Sequence, residues 1–196
     1  MNNQLWWYIA RSGGIVAWAL LAASVMWGLA LSTRVLRGRP RPNWILDLHR
    51  FLGGLALIFT GVHVLSLVLD SYVHFGVTEI LVPFASDWHP AAVAWGVISL
   101  YLLLAVELTS LLRKRISKRL WRSTHYASFP LFLFSTVHAL SAGTDRAIVL
   151  LRAAVVVATA VVSLMVFIRL TSEAGPHGGR EAIRRPHRPS DSLGAA

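Results

Sequence analysis

Four histidines stand out because they lie inside apolar segments of the chain. His49 and His63 are 14 residues apart on one segment, and His125 and His138 are 13 apart on another. Ionisable side chains at membrane depth are rare and are usually functional. One such histidine could serve helix packing through a hydrogen bond. Two matched pairs instead favour metal binding by each pair, because imidazole is a common metal ligand.

The spacing places the four imidazoles at two depths. On an α-helix, 14 residues rise about 21 Å, and the two side chains point within roughly 40° of each other. His49 and His63 can therefore face one partner helix. The segment with His125 and His138 enters from the same side, so the two segments run parallel. His49 is then expected level with His125, and His63 level with His138.

Each level offers two imidazoles from two helices, as a six-coordinate haem iron requires on the two faces of its ring. Two histidines without carboxylates make a poor zinc site, which usually has three or four protein ligands. Small residues occupy the face between His49 and His63: Gly53, Ala56 and Thr60. They would leave room for a flat macrocycle, although close helix packing in membranes also selects small residues.

The elements that must position these histidines are membrane helices. The chain of 196 residues is 55% hydrophobic and 14% charged, with a mean hydropathy of +0.57. This composition excludes a disordered protein and disfavours a soluble domain. A spanning helix needs about 20 mostly apolar residues, and five segments qualify: 12–31, 45–69, 91–112, 120–142 and 147–170. We therefore predict an all-α membrane bundle of about five transmembrane helices, two of which are parallel and carry the haem ligands.

The flanking regions of this membrane domain, 12–170, differ in character. Residues 1–11 are expected to form an external N-terminal segment, and 171–196 a basic disordered tail. The stretch 72–88 contains no Lys or Arg and is too short to span twice. It is expected either as a short helix or re-entrant loop in the interface, or as an apolar surface loop.

The charges predict the orientation. Lys and Arg number 19 against 9 Asp and Glu, and most of them fall in the links 32–44 and 112–122 and in the tail. The positive-inside rule then places the N-terminus outside and the C-terminus in the cytoplasm of a multi-pass protein of the inner (plasma) membrane. The excess charge is thus assigned to topology and lipid, and no nucleic-acid partner is expected.

Several charged residues lie near the histidines. Arg50 and Arg122 lie beside His49 and His125 and could bind the carboxylates of one haem, and Arg146 and Arg152 those of the other. Contact with phospholipid headgroups by snorkelling is the alternative for each arginine. Glu107 is expected to pair with a nearby arginine.

The chain has no cysteine. Disulfides, thiolate metal sites and a Cys-x-x-Cys-His haem attachment are therefore excluded.

Pro130 lies between His125 and His138, whose 13-residue spacing would turn them about 140° apart on a regular α-helix. A proline removes one backbone donor and clashes with the preceding turn. We therefore predict a kink or a non-α turn within about one turn of Pro130, which returns both imidazoles to the same side.

The sequence around the histidines resembles that of a known family. It reads DLHRFLG at 47–53, GVH at 61–63, HYASFP at 125–130 and TVH at 136–138. Over roughly 12–170, the chain is similar to the transmembrane domain of ferric reductases and NADPH oxidases. The resemblance implies two b-type haems that carry electrons from a cytoplasmic donor to an external acceptor.

The chain departs from that family in one respect. The family's oxidases and reductases carry a C-terminal flavin- and nicotinamide-binding domain, whereas only 171–196 follow here, without a Gly-x-Gly-x-x-Gly motif. In this respect the chain resembles stand-alone bacterial relatives, such as the haem-binding membrane subunit of periplasmic methionine sulfoxide reductase systems. No flavin bound by a domain of its own is expected. The donor is then a separate flavoprotein, a quinone or another molecule, and the acceptor a protein, a metal ion or a small molecule.

These features predict transmembrane electron transfer through two stacked bis-histidine haems, as the haem-bearing membrane component of an oxidoreductase. The alternative is a transporter or channel in which the histidines move protons or metal ions. A transporter of this size is expected to contain internal repeats or broken helices at the midplane, and the sequence contains no such repeat.

Overall fold

The computed structural model describes residues 3–32, 43–71, 75–143 and 148–173. In these ranges the chain forms helices and no strand. In chain order the helices are α1 (Asn3–Ser32), α2 (Asn43–Leu69), α3 (Val77–Leu81), α4 (Pro90–Leu111), α5 (Lys118–Tyr126), α6 (Ser128–Ala142) and α7 (Val149–Glu173).

Four of these helices are long and apolar enough to cross a bilayer: α1, α2, α4 and α7. A helix satisfies its backbone groups internally, which is the condition for crossing a hydrocarbon layer that offers no hydrogen bonds. The prediction of an all-α membrane bundle is confirmed. α1 begins at Asn3, so the predicted external segment 1–11 is largely the first part of that helix. The predicted tail begins inside α7, and 174–196 lie outside the described residues.

The fourth predicted span, 120–142, is not one continuous helix. It is divided into α5 and α6 by a turn at Ala127. The amide of Ala127 donates to the carbonyl of Thr124 (2.9 Å), three residues back, in place of the four-residue bond of an α-helix. α5 ends at Tyr126, whose carbonyl would have received the missing N–H of Pro130. The predicted break within one turn of Pro130 is confirmed, and α6, with 15 residues, is shorter than a regular span.

The core of the bundle forms around α1, which packs against α2, α6 and α7. Trp18 of α1 stacks on Phe132 of α6, with ring centroids 6.4 Å apart, and its indole N–H donates to the hydroxyl of Thr136 (2.9 Å). Because this donor is buried, the bond removes the penalty of an unsatisfied N–H. α4 packs against α2, α5 and α6, so α2 and α6 lie between α1 and α4, and α5 packs against α4 and α6.

The segment between α2 and α4 packs back onto the bundle. Phe75 is buried in a small cluster with Val93 and Val97 of α4. The hydroxyl of Tyr101 donates to the carbonyl of Leu81 at the end of α3 (2.6 Å). Of the two structures expected for 72–88, the described part thus contains a short helix, and residues 72–74 lie outside the described residues.

Candidate functional site

The four histidines of the membrane segments meet in two pairs. The ring centroids of His49 (α2) and His125 (α5) are 5.9 Å apart, with the ring planes at 79°. Those of His63 (α2) and His138 (α6) are 6.3 Å apart, with the planes at 73°. The pairing by level that the spacing predicts is therefore the pairing in the structure.

The separation within each pair suits a shared metal ion. An imidazole nitrogen binds zinc at about 2.0–2.1 Å and lies about 1.2 Å from its ring centre, so two imidazoles on opposite sides of such an ion have centroids about 6.4 Å apart. Both observed separations are close to this value. No group of three or more His, Asp or Glu that could hold a metal ion occurs among the described residues, which disfavours a zinc site there.

Three of the four imidazoles are anchored through their other ring nitrogen. In each case Nδ1 lies at hydrogen-bond distance from a main-chain carbonyl of a neighbouring helix: His63 from Ala10 (2.7 Å), His49 from Ser24 (3.0 Å) and His138 from Ala92 (2.8 Å). A carbonyl oxygen only accepts a hydrogen bond, so Nδ1 carries the proton of the imidazole. Nε2 therefore keeps its lone pair free to bind a metal ion. Metal-binding histidines typically have such a partner, which fixes the tautomer and the orientation of the ring.

A glycine follows each anchoring carbonyl four residues later and leaves space for the ring. A Cβ added at Gly14 would lie 3.0 Å from Nδ1 of His63, and one at Gly28 would lie 3.2 Å from Cε1 of His49. One added at Gly96 would lie 2.7 Å from Cε1 of His138. A side chain at any of the three would therefore press on an imidazole.

The sequence interpretation missed these glycines, although a signal exists. Gly14 and Gly28 are 14 residues apart on α1, the same spacing as His49 and His63 on α2. Two antiparallel helices with equal spacings bring each glycine opposite one histidine.

His125 is the exception. Its Nδ1 is buried and has no hydrogen-bond partner among the described residues. The ring instead stacks on the indole of Trp121, with centroids 5.1 Å apart and an angle of 23°.

The small residues of α2 contact different neighbours. A Cβ added at Gly53 would lie 2.6 Å from Oε1 of Glu107, so this glycine admits a carboxylate from α4. Ala56 is 1% exposed and belongs to the core, and the hydroxyl of Thr60 donates to the carbonyl of Ala56 (2.8 Å). The expected ion pair of Glu107 with an arginine does not occur within the described ranges. Close packing thus accounts for Gly53, whereas Ala56 and Thr60 also border a cavity.

That cavity, of about 240 Å³, lies beside the His63–His138 pair. Both histidines line it, together with Arg11 of α1 and Arg152 of α7. Arg152 was expected near this pair, whereas Arg11 was not, because it was assigned to the segment before the first span. The lining is otherwise mainly apolar, which suits a large hydrophobic ligand with an anionic end.

The arginines expected at the other pair lie on the surface. Arg50 is in an ion pair with Asp47 (3.4 Å), and both side chains are more than half exposed. Arg122 is exposed on α5. Arg146, which was expected with Arg152 at the His63–His138 pair, lies outside the described residues.

Comparison with known proteins identifies one family. Residues 13–136 match the model of the ferric reductase like transmembrane component. The match includes three of the four histidines and ends two residues before His138. Searches of curated proteins and of solved structures give no match.

The matched range is well over half of the chain, and the four apolar helices are those expected of a multi-pass membrane protein. A membrane domain of this kind has redox partners in general. The chain belongs to the ferric reductase-like transmembrane family.

Proposed function

We propose that the protein transfers electrons across the membrane through two b-type haems, each held between two histidines. The observation that carries this proposal is the meeting of four membrane histidines in two pairs, with ring separations suited to a metal ion between them. His49 and His125 hold one haem, and His63 and His138 the other. Each haem supplies a one-electron carrier.

The residues of the chain have separate roles in this proposal. The Nε2 atoms of the four histidines would hold the haem irons, and the carbonyls of Ala10, Ser24 and Ala92 hold three of the four rings. On the continuous helix α2, the two ligand levels are about 21 Å apart, within a hydrocarbon core of about 30 Å. Haems held at these two levels would let electrons cross the membrane in two steps between fixed sites.

The cavity supports the assignment at the His63–His138 pair. Its apolar lining suits a porphyrin, and Arg11 and Arg152 suit the propionate carboxylates. Arg50 and Arg122 are proposed for the same role at the other haem, where a carboxylate would draw Arg50 away from Asp47.

Haem content tests the proposal directly. Protein purified from membranes with haem supplied is assayed by the pyridine haemochrome method against protein concentration. We expect a ratio near two and a reduced spectrum of b type. A reproducible ratio of one in fully loaded protein would contradict the two-site proposal. A colourless, folded protein would favour a histidine-based proton or metal-ion transporter instead.

The direction of transfer rests on the proposed orientation, with the C-terminus in the cytoplasm of the inner membrane. The donor then reacts on the side of the α4–α5 link, and the acceptor on the side of the α2–α4 segment. Cysteine labelling tests this orientation, since the chain has no cysteine of its own. Asp87→Cys, at an exposed position, should react with an impermeant thiol reagent in intact cells, and Lys114→Cys should be protected. The reverse pattern would overturn the orientation.

A further inference from the structure

The segment between α2 and α4 lies against the side of the bundle. The hydroxyl of Tyr101 donates to the carbonyl of Leu81 (2.6 Å), and Tyr101 comes 11 residues after Pro90, where α4 begins. Eleven residues of an α-helix rise about 16 Å, which is about half of a hydrocarbon core of about 30 Å. Because α4 is long and apolar enough to cross a membrane, Tyr101 lies near the middle of its membrane-spanning part.

The segment must reach well into that depth. A tyrosine on a helix points its ring towards the N-terminal end, so the carbonyl of Leu81 lies between the level of Tyr101 and the first turn of α4. Phe75 gives a second, independent position, because it is buried with Val93 and Val97, about one and two turns into α4. The chain therefore runs down beside α4 from Phe75 to Leu81 before it returns to the start of that helix.

The polarity of the short helix α3 is the reverse of that of a helix in water. Glu79 and Ile80 face inward and line the cavity beside the His63–His138 pair. The four outward side chains, which we call the outer face, are apolar and exposed: Val77 (70%), Leu81 (46%), Val82 (49%) and Phe84 (65%). A helix at a water surface turns its polar residues outward, whereas grouped exposed apolar side chains mark contact with a membrane or a partner.

The distribution of charge agrees with this polarity. Between residues 75 and 86 the one charged side chain is Glu79, which faces the cavity. Asp87 is exposed and lies where the chain returns to α4. Charged side chains at membrane depth face the protein interior or a cavity, so the segment has the pattern expected of an element in hydrocarbon.

The backbone of the segment has partners within the protein. The amide of Val82 donates to the carbonyl of Thr78 (2.8 Å), and that of Ala85 to the carbonyl of Val82 (3.2 Å). The amide of Gly76 donates to the carboxylate of Glu79 (2.7 Å). Water would satisfy such groups in a surface loop, whereas non-helical backbone at membrane depth depends on protein groups or a cavity. The tyrosine hydroxyl that reaches Leu81 supplies one more such group.

We propose that residues 75–85 form a re-entrant element whose outer face lies among lipid acyl chains, and that the hydroxyl of Tyr101 holds it at that depth. The element closes the cavity beside the His63–His138 pair on its lipid side, where no further spanning helix of the described residues lies. This inference needs neither a bound haem nor a particular orientation of the chain in the membrane.

Fluorescence quenching tests the depth of the element. The chain has no cysteine, so Leu81→Cys and Asp87→Cys each give the full chain one site for an environment-sensitive dye. The labelled proteins are placed in lipid nanodiscs, where both membrane faces meet water. We expect the dye at position 81 to lose its fluorescence to lipids with a nitroxide within the acyl chain and to be protected from iodide. The dye at position 87 should show the reverse.

Tyr101→Phe tests the bond that holds the element. Without the hydroxyl, the carbonyl of Leu81 is left at membrane depth without its donor, and loss of one partner of a buried hydrogen bond shifts an equilibrium by about tenfold. In the Leu81→Cys protein without dye, we therefore expect Tyr101→Phe to raise the rate of reaction with a water-soluble thiol reagent by about tenfold.

Tyr8→Phe is the matched control for that variant. Tyr8 is 58% exposed on α1, and its hydroxyl has no hydrogen-bond partner among the described residues. Its substitution removes the same group, and we expect the reaction rate of the cysteine at position 81 to stay unchanged.

The alternatives give different results. If iodide quenches the dye at position 81 as strongly as the dye at position 87, the segment is a loop in water and the proposal is overturned. Protection from both quenchers also overturns it, because protein then covers the outer face. An unchanged reaction rate in Tyr101→Phe shows that the role given to this tyrosine is wrong. If that variant does not fold, the quenching of the dye at position 81 still decides where the element lies.

Discussion

The two histidine pairs have the same composition but different surroundings. At the His63–His138 pair, both rings are anchored to carbonyls and both face a glycine. At the His49–His125 pair, only His49 is held in this way, and His125 lies just before the helix break at Ala127 and stacks on Trp121. The depth of each histidine in the bundle thus follows from its spacing in the chain, whereas the restraint of its ring depends on the groups that the neighbouring helix presents.

Removal of one ligand should give the largest effect. We expect His63→Ala and His49→Ala each to lower the haem content from two per chain to one, because each substitution removes one side of a single pair. The pyridine haemochrome assay measures the loss, and the spectrum of the remaining haem should be retained. Loss of both haems from either folded variant would show that the two levels are not independent.

Filling a glycine should give the next largest effect. In Gly96→Ala, the new methyl group would lie within 3.1 Å of three ring atoms of His138. We expect haem affinity at that pair to fall by about 10- to 100-fold, the usual cost of disturbing the partner of a metal ligand. Titration of the loaded protein with a competing haem-binding apoprotein measures this affinity, through the haem that is retained.

Gly54→Ala is the matched control, because a Cβ at Gly54 meets nothing within 4 Å. It is expected to retain haem as the parent protein does and to favour the helix by about 0.5–1 kcal/mol. Equal losses in the two variants would mean that the close approach of Gly96 to His138 has no role in haem binding.

Restoring a regular helix should weaken binding less. Pro130→Ala supplies a backbone N–H that can donate to the carbonyl of Tyr126, and it should therefore favour a continuous helix across Ala127. A continuous helix would turn His125 away from His49. We expect about tenfold weaker haem binding, or about 1.4 kcal/mol. Pro90→Ala, at the first position of α4, where a proline is well tolerated, should have less effect. The reverse order of the two variants would contradict the role given to the break.

Substitution of Arg50, which lies on the surface, should have the smallest effect. Its ion pair with Asp47 is exposed, and such pairs contribute about 0–1 kcal/mol. If Arg50 binds a haem carboxylate, Arg50→Gln should lower haem affinity at the His49–His125 pair by less than tenfold, and Asp47→Asn should not lower it. Retention of both haems by Arg50→Gln at the parent affinity would assign the arginine to the surface alone.

Much of the arrangement was predictable from local pattern. Long apolar segments form helices in lipid because no other single segment satisfies its own backbone there. The spacing between His49 and His63 then determines their common face. Pro130 indicated the break, since the missing donor and the ring clash act within one turn. The predicted fourth span, 120–142, is divided at Ala127 into α5 and α6. Apolarity extends across Ala127 and does not reveal this interruption, whereas Pro130 does.

The sequence by itself determined the histidine levels, the membrane class and the position of the break, because each depends on residues close together in the chain. Only the tertiary structure decided which groups restrain the rings. The anchors of His63 and His138 come from α1 and α4, 53 and 46 residues away. Glu107 lies against Gly53, and no arginine of the described ranges forms the expected ion pair with it. These contacts depend on the register between helices, which is set by packing along their whole length and not by any local motif.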